Sequence, residues 1–301
     1  MSGGQPVAVA WVFPGQGSQY VGMGLEVARD APAAATVFER ADETLEFALS
    51  DLIFHGPDEE LQQTANQQPA IVTVSAAYLV VLRDRGLLPE PQAVAGHSLG
   101  EYSALVAADA LDLADALRLV RRRGELMQEH GAGAMAAIIG LDQDAVADIA
   151  ATTEVQVANY NAPGQTTVSG RDAAIERAMA LATERGARRC VRLPVSAAFH
   201  SPLMGPVVEA LRPMIERTPF REASVPLVTN VAASPVRHPD DLRRELLDQI
   251  CASVRWIDVI ERMRADGITT FVEIGPGKVL SGLITRIAKD AHTVTAESLL
   301  A

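Results

Sequence analysis

Residues 96–100 read Gly96-His97-Ser98-Leu99-Gly100, a serine with a glycine two positions away on either side. A serine hydroxyl attacks a carbonyl only when the chain presents it clear of its neighbours and a base takes its proton. Paired glycines permit the sharp turn that does the first, provided a strand enters the turn and a helix leaves it. Both are expected here: Gln92-Ala93-Val94-Ala95 reads as a short apolar strand and Glu101–Ala110 as a helix. In a chain with 22 glycines the bare pattern carries little weight. The strand–turn–helix setting is what makes Ser98 a candidate nucleophile rather than a turn serine.

A base must stand within hydrogen-bond reach of that hydroxyl. Of six histidines, His97 adjoins Ser98, so its side chain should leave the turn on the other side as a packing residue. His55, His130, His238 and His292 lie in polar stretches and read as solvated. His200 differs, lying in Pro194-Val195-Ser196-Ala197-Ala198-Phe199-His200-Ser201-Pro202, an extended segment that Pro202 helps to end. It is the candidate base.

Pro14-Gly15-Gln16-Gly17-Ser18-Gln19 is not a dinucleotide fingerprint, because Tyr20 stands where the third glycine is needed. Gly275-Pro276-Gly277-Lys278 is not a phosphate loop either, since the spacing is wrong and Val279 follows the lysine. The first glycine pair instead lets the backbone at Gln16 approach a reacting carbonyl. Its N–H, with that of Leu99, would make an oxyanion hole. In Arg121-Arg122-Arg123 the first two read as a solvated helix face. Arg123, beside Gly124 and one turn before Met127, is placed to turn inward, and a buried guanidinium needs a carboxylate from protein or substrate.

The elements that must hold these residues alternate between strand and helix. Val7–Phe13 is a continuous apolar run, Gly22–Leu49 has helical periodicity, Pro69–Arg85 is a strong helix, and Leu113–His130 is a long amphipathic one. That rhythm predicts an α/β core with a parallel sheet. From about residue 133 it changes to strand Ala134–Ile139, helix Gln143–Thr152, strand Val155–Asn161, strand Thr166–Ser169, helix Asp172–Arg185 and strand Ala187–Leu193. This is the ferredoxin-like order β-α-β-β-α-β, read as an insert over residues 132–195. The core then resumes, with a late strand at Thr270–Ile274. Two domains follow: a core of residues 1–131 and 196–301, and the insert.

The charge excludes some functions. With 26 Lys and Arg against 38 Asp and Glu, the net charge is −12, which disfavours nucleic acid as a partner. Cys190 and Cys251 are the two cysteines and have no metal-type spacing. No metal and no permanently bound cofactor are expected. No apolar run reaches bilayer length and no secretory leader is evident, so a cytoplasmic, monomeric protein without membrane contact is expected.

Several segments together resemble one family. They are Phe13-Pro-Gly-Gln-Gly-Ser-Gln19, Gln68-Pro69-Ala70, Gly96-His-Ser-Leu-Gly-Glu-Tyr-Ser-Ala104, Arg123-Gly124 with Met127-Gln128, and Gly133-Ala-Met-Ala136. Asn159-Tyr-Asn161 with Pro163-Gly-Gln165, Phe199-His200, and Glu273-Ile-Gly-Pro-Gly-Lys-Val-Leu280 complete the set. From about Val9 to Lys289 the chain is similar to bacterial malonyl-CoA:acyl-carrier-protein transacylases, including discrete acyltransferases that serve polyketide synthases. The resemblance implies an α/β-hydrolase-like parallel-sheet core carrying a ferredoxin-like subdomain, with the site in the cleft between them. It implies Ser98 as acyl acceptor, His200 as base, Gln16 and Leu99 N–H groups as oxyanion hole, and Arg123 as partner of the malonyl carboxylate. It implies a backbone carbonyl orienting the histidine, at the position matched by Arg255 where many relatives carry Gln, and Asn161 as a substrate contact. Phe199 after Ala198, and Leu99 after the nucleophile, resemble malonyl-selective members.

The expected reaction is ping-pong transfer of malonyl from coenzyme A to the phosphopantetheine thiol of an acyl carrier protein. Two other readings remain open at this point: a hydrolase that clears stalled acyl groups from carrier proteins, and a catalytically idle docking module. A discrete polyketide acyltransferase that transfers another extender unit is a further alternative. Carrier proteins are usually acidic, as is this chain, so docking would need a local basic patch. Arg188, Arg189, Arg192, Lys278, Arg286 and Lys289 are the candidates.

Overall fold

A computed structural model describes residues 8–195 and 197–301. The expected domain limits at residues 1 and 196 fall outside them. Ten strands run in chain order: β1 Val9–Phe13, β2 Ala93–Gly96, β3 Ala134–Ile139, β4 Gln156–Ala162, β5 Gln165–Gly170, β6 Arg189–Arg192, β7 Leu227–Val228, β8 Pro235–Val236, β9 Thr270–Glu273 and β10 His292–Thr295. They form a six-stranded sheet of order β10-β9-β1-β2-β7-β8 and a four-stranded sheet of order β4-β5-β3-β6. The first is parallel except at β7–β8. The second is wholly antiparallel. The fold is therefore α/β, a hydrolase-like parallel core with a ferredoxin-like second sheet.

The continuous apolar run of β1 is what a parallel strand covered on both faces requires. Val9, Trp11 and Phe13 point into one apolar layer, with helices Thr64–Asp84 and Leu113–His130. Ala10 and Val12 point into the other, with helices Trp256–Ala265 and Val279–Ile287. Strand register sets Phe13 opposite Gly96, so the loops leaving β1 and β2 emerge side by side at the carboxyl edge of the sheet. The His97 N–H donates to the Phe13 carbonyl at 3.0 Å and ties the two loops together.

Two departures from the periodicity have local causes. The Gly22–Leu49 stretch breaks at Ala31, which is extended ahead of Pro32, giving helices Leu25–Asp30 and Pro32–Leu45. The helix expected from Pro69 starts at Thr64 and runs through the proline. A mid-helix proline leaves the carbonyl four residues back without a donor. Here that carbonyl belongs to Ala65, and Arg121 Nη1 donates to it at 3.1 Å and to Asn66 Oδ1 at 2.6 Å. Arg121 is thus half-buried and structural, where a solvated face was expected, while Arg122 is exposed.

The turn at Ser98 leaves no room for side chains at its flanks. A Cβ on Gly96 would lie 1.9 Å from the Gly100 carbonyl carbon, and one on Gly100 would lie 2.1 Å from the Phe13 oxygen. Gly100→Ala is expected to lower the unfolding free energy in urea by about 1–3 kcal/mol, the usual range for overpacking. Gly282, mid-helix with nothing within 4 Å of a built Cβ, is the control. Gly282→Ala should be neutral or stabilising by up to about 1 kcal/mol.

Candidate active site

Ser98 sits at the apex of the turn with φ 51°, a left-handed conformation that costs energy for any side-chain-bearing residue. Surrounding bonds hold it there. Its N–H donates to Asn230 Oδ1 at 2.7 Å, and Asn230 Nδ2 donates to the Gly96 carbonyl at 2.7 Å. Its carbonyl accepts from Gln249 Nε2 at 3.1 Å. The result aims the hydroxyl at His200, with Ser98 Oγ and His200 Nε2 2.8 Å apart.

His200 also has a positive φ, 58°. The loop before it is anchored by the Ala198 N–H on the Ala132 carbonyl and by Ser201 Oγ on the Ala198 carbonyl. Its Nδ1 faces two carbonyl oxygens, Gln249 at 2.7 Å and Ala252 at 3.1 Å. Carbonyls only accept, so Nδ1 carries the proton and the bare Nε2 accepts from Ser98. Burial, reinforced by the nearby Arg123 cation, pushes the imidazole from 6.5 down to about 3. Folded His200 is therefore neutral across the physiological range. Between the two values the unfolded chain binds a proton that the folded chain excludes, so stability falls as pH falls through that window.

Arg123 is 1% exposed. Its Nη1 donates to Gln68 Oε1 at 2.9 Å, and its Nη2 to Gln249 Oε1 at 3.2 Å and, weakly, to Ser98 Oγ at 3.4 Å. The guanidinium lies 6.0 Å from the Tyr102 ring centre. Its Nε has no acceptor among the described residues, and no carboxylate there forms an ion pair with it. A buried cation held only by neutral amides, with one donor idle, is tuned to receive an anion. The idle Nε and the weakly bonded Nη2 form the guanidinium edge whose geometry suits two parallel bonds to a carboxylate.

These groups open into a cleft of about 450 Å³ lined by Gln16, Gly17, Gln19, Gln62, Gln67, His97, Ser98, Met135, Asn159, Leu193, Pro194, Val195, Phe199 and His200. One wall comes from the loop after β1 and the turn after β2, the other from the second sheet and its exit. Phe199, Leu193, Val195 and Met135 make it apolar near the serine. Among the described residues, the backbone N–H groups of Gln16 and Leu99 donate to no protein acceptor. No group of three or more His, Cys, Asp or Glu there has the arrangement of a metal site.

The sequence family described as acyl transferase domain matches residues 10–301. The chain belongs to this family. It is 47% identical over 294 residues to a malonyl CoA-acyl carrier protein transacylase of Bacillus subtilis, covering 95% of this chain and 92% of that protein. The crystal structure of an acyl-carrier-protein S-malonyltransferase from Bartonella henselae superposes with a TM-score of 0.95 at 43% identity, covering 98% of each chain. A malonyl-transacylase solved in complex with a type II PKS acyl-carrier protein gives 0.93 at 38% identity, covering 97% of this chain and 98% of that one.

Within this acyl transferase, Ser98, His200, Gln16 and Phe199 line the cleft, Arg123 lies behind it against Ser98 Oγ, and Leu99 is buried next to the serine in the turn. Two expected residues stand elsewhere. The carbonyls facing His200 belong to Gln249 and Ala252, not to Arg255. Arg255 begins the next helix, and its exposed side chain pairs with Asp258 at 2.6 Å. Asn161 faces His97, whose Nε2 lies 2.8 Å from Asn161 Oδ1, and it is Asn159 that lines the cleft. Irregular pairing of β4 with β5 on either side of Asn159 and Tyr160 breaks the alternation that would put both asparagines on one face. His97 packs against Trp256, 5.5 Å between ring centres, as expected of a packing residue. His55, His130, His238 and His292 are exposed. Of the basic candidates, Arg192 is taken by Asp172 and Glu176, and Arg286 by Gln165 and the Pro163 carbonyl. Arg188, Arg189, Lys278 and Lys289 are exposed and enter no ion pair among the described residues.

Sequence reasoning missed Asn230 and Gln249, which hold the serine backbone, the histidine and the arginine. Neither lies in a motif that signals such a role. The depressed His200 makes a measurable difference: Ser98 should react with an organophosphonate at a rate that changes less than about twofold between pH 7.5 and 5.5. An imidazole of ordinary basicity would be about nine-tenths protonated at the lower pH and would slow the reaction about tenfold.

Proposed function

We propose that the protein moves a malonyl group from coenzyme A to the phosphopantetheine thiol of an acyl carrier protein. The observation that carries this reading is the buried Arg123, paired with no carboxylate among the described residues and in contact with the hydroxyl of a serine–histidine pair. The names of the relatives agree with it.

In the first half-reaction His200 Nε2 takes the Ser98 proton as Oγ bonds to the thioester carbon. The oxyanion accepts from the Gln16 and Leu99 N–H groups. The carbon–sulfur bond then breaks, and the proton passes from His200 to the departing coenzyme A thiolate. In the second half the carrier's thiol gives its proton to His200 and attacks the acyl carbon, and the Ser98 oxygen leaves and regains the proton. The Gln249 carbonyl on Nδ1 keeps the imidazole in the tautomer both halves need. The malonyl carboxylate takes the Nε–Nη2 edge of Arg123. The insert, taken as residues 132–195, supplies the wall that excludes water, and Phe199 crowds any branch beside the reacting carbonyl.

Competitive labelling of Ser98 with malonyl-, acetyl- and methylmalonyl-CoA, read by intact mass, tests the assignment. Wild type should take malonyl first and methylmalonyl poorly. Arg123→Ala should lose about 2–5 kcal/mol of malonyl acylation while acetyl acylation holds or rises. Equal loss with all donors makes the arginine structural. Release of free malonate despite carrier protein favours hydrolysis instead.

For docking, Arg188→Glu or Lys278→Glu should raise KM for the carrier protein and leave the coenzyme A half-reaction within about twofold, as expected for a charge at an interface rim. Equal damage to both halves would indicate misfolding.

A further inference from the structure

Behind the serine lies a pair of carboxyls that the mechanism does not use. Glu101, in the first turn of the helix Gly100–Ala107, is fully buried. Its Oε1 accepts from the Asn230 N–H at 2.8 Å and its Oε2 from Gln249 Nε2 at 2.7 Å. Glu245, one helical turn before Gln249, is buried against it, and its Oε1 accepts from the Val231 N–H at 2.9 Å. Burial raises both carboxyls above their ordinary range, with repulsion from Glu245 adding to it at Glu101 and repulsion from Asp248 adding to it at Glu245. Neither meets a cation in an ion pair among the described residues.

A single amide separates Arg123 from Glu101. Gln249 turns its Oε1 to Arg123 and its Nε2 to Glu101. That orientation is not symmetric under a flip. Reversed, the amide would set its NH₂ against a guanidinium that can only donate. Glu101, with the Ser98 carbonyl, therefore holds the Nε2 side of the amide, and the amide's Oε1 holds the Nη2 edge of Arg123.

We propose that Glu101 is a positioning residue for acyl selectivity: through Gln249 it fixes the Arg123 edge that receives the carboxylate of the acyl group. The inference rests on the reading of Arg123 given above. Glu101→Gln supplies one acceptor oxygen where two donors, the Asn230 N–H and Gln249 Nε2, are satisfied now. Glu245→Gln keeps its acceptor for Val231 and offers Glu101 an N–H in place of the proton that two adjoining buried carboxyls must share.

The experiment measures the ratio of malonyl to acetyl acylation of Ser98 with both thioesters competing, alongside thermal unfolding, for wild type, Glu101→Gln, Glu245→Gln, Gln249→Met and Arg123→Ala. Glu101→Gln should lower the ratio at least about tenfold, the scale of one lost hydrogen bond to a charged group, with acetyl acylation within about threefold of wild type. Glu245→Gln should keep the ratio within about twofold. Gln249→Met retains the backbone carbonyl on His200 but loses the bond to the Ser98 carbonyl; it should slow acylation by both donors and still lower the ratio at least about tenfold, and it carries the test if Glu101→Gln fails to fold. A Glu101→Gln ratio within about twofold of wild type, or equal loss with both donors, overturns the proposal. If Arg123→Ala collapses the ratio while Glu101→Gln and Gln249→Met do not, this inference fails alone. If Arg123→Ala leaves the ratio unchanged, both readings fail.

Discussion

A full positive charge buried beside a nucleophile governs the arrangement of this site. Arg123 lies against Ser98 with neutral amides as its partners, and the rest of the cleft answers to that choice. A protein carboxylate at the guanidinium would have stabilised the fold and closed the site to an anionic acyl group. Amide oxygens from Gln68 and Gln249 satisfy part of the guanidinium and leave its free edge for a ligand. Two carboxyls, Glu101 and Glu245, stand one residue further back, behind Gln249. The same cation lowers the basicity of His200, so an incoming carboxylate that neutralises Arg123 also relieves the base.

The second constraint is conformational. Ser98 and His200 both occupy left-handed backbone, and neither is glycine. Such strain persists only where neighbours over-determine it. Around Ser98 they do: the Asn230 amide clamps the strand end and the serine N–H, Gln249 holds the serine carbonyl, and the missing Cβ atoms of Gly96 and Gly100 let the turn close. Gln249 is the common member, touching serine, arginine and glutamate through its side chain and histidine through its carbonyl.

What the sequence disclosed was what local pattern encodes. The elbow, the insert and the helix Leu113–His130 each carry their signal in consecutive residues, and they stand within a few residues of their expected bounds. Arg123 was legible because its place beside a glycine on an amphipathic helix marks the inward stripe. Strands β7 and β8 were not, because two residues carry no periodicity, and β10 is too polar to announce itself. Asn230, Gln249 and the Glu101–Glu245 pair acquire their roles only when distant segments meet. The misplaced Arg255 has the same origin, since which nearby carbonyl faces His200 depends on how the helix Pro239–Asp248 ends. Asn161 was lost to irregular strand pairing, which sequence alternation does not reveal.

The position of β1 has a consequence for synthesis. Its Val-Ala-Trp-Val-Phe run lies between β2 on one side and β9 on the other, and β9 leaves the ribosome long after β1. Until Thr270–Glu273 arrives, a wholly apolar strand has one open edge, the kind of surface that recruits foreign strands. The second sheet waits as well, because its edge strand β4 bonds to Val254, which also comes late. The nascent chain thus passes through a stage in which its central sheet is unfinished and adhesive. Slow elongation or truncation before β9 would prolong that stage, making aggregation rather than loss of chemistry the first symptom of an incomplete chain.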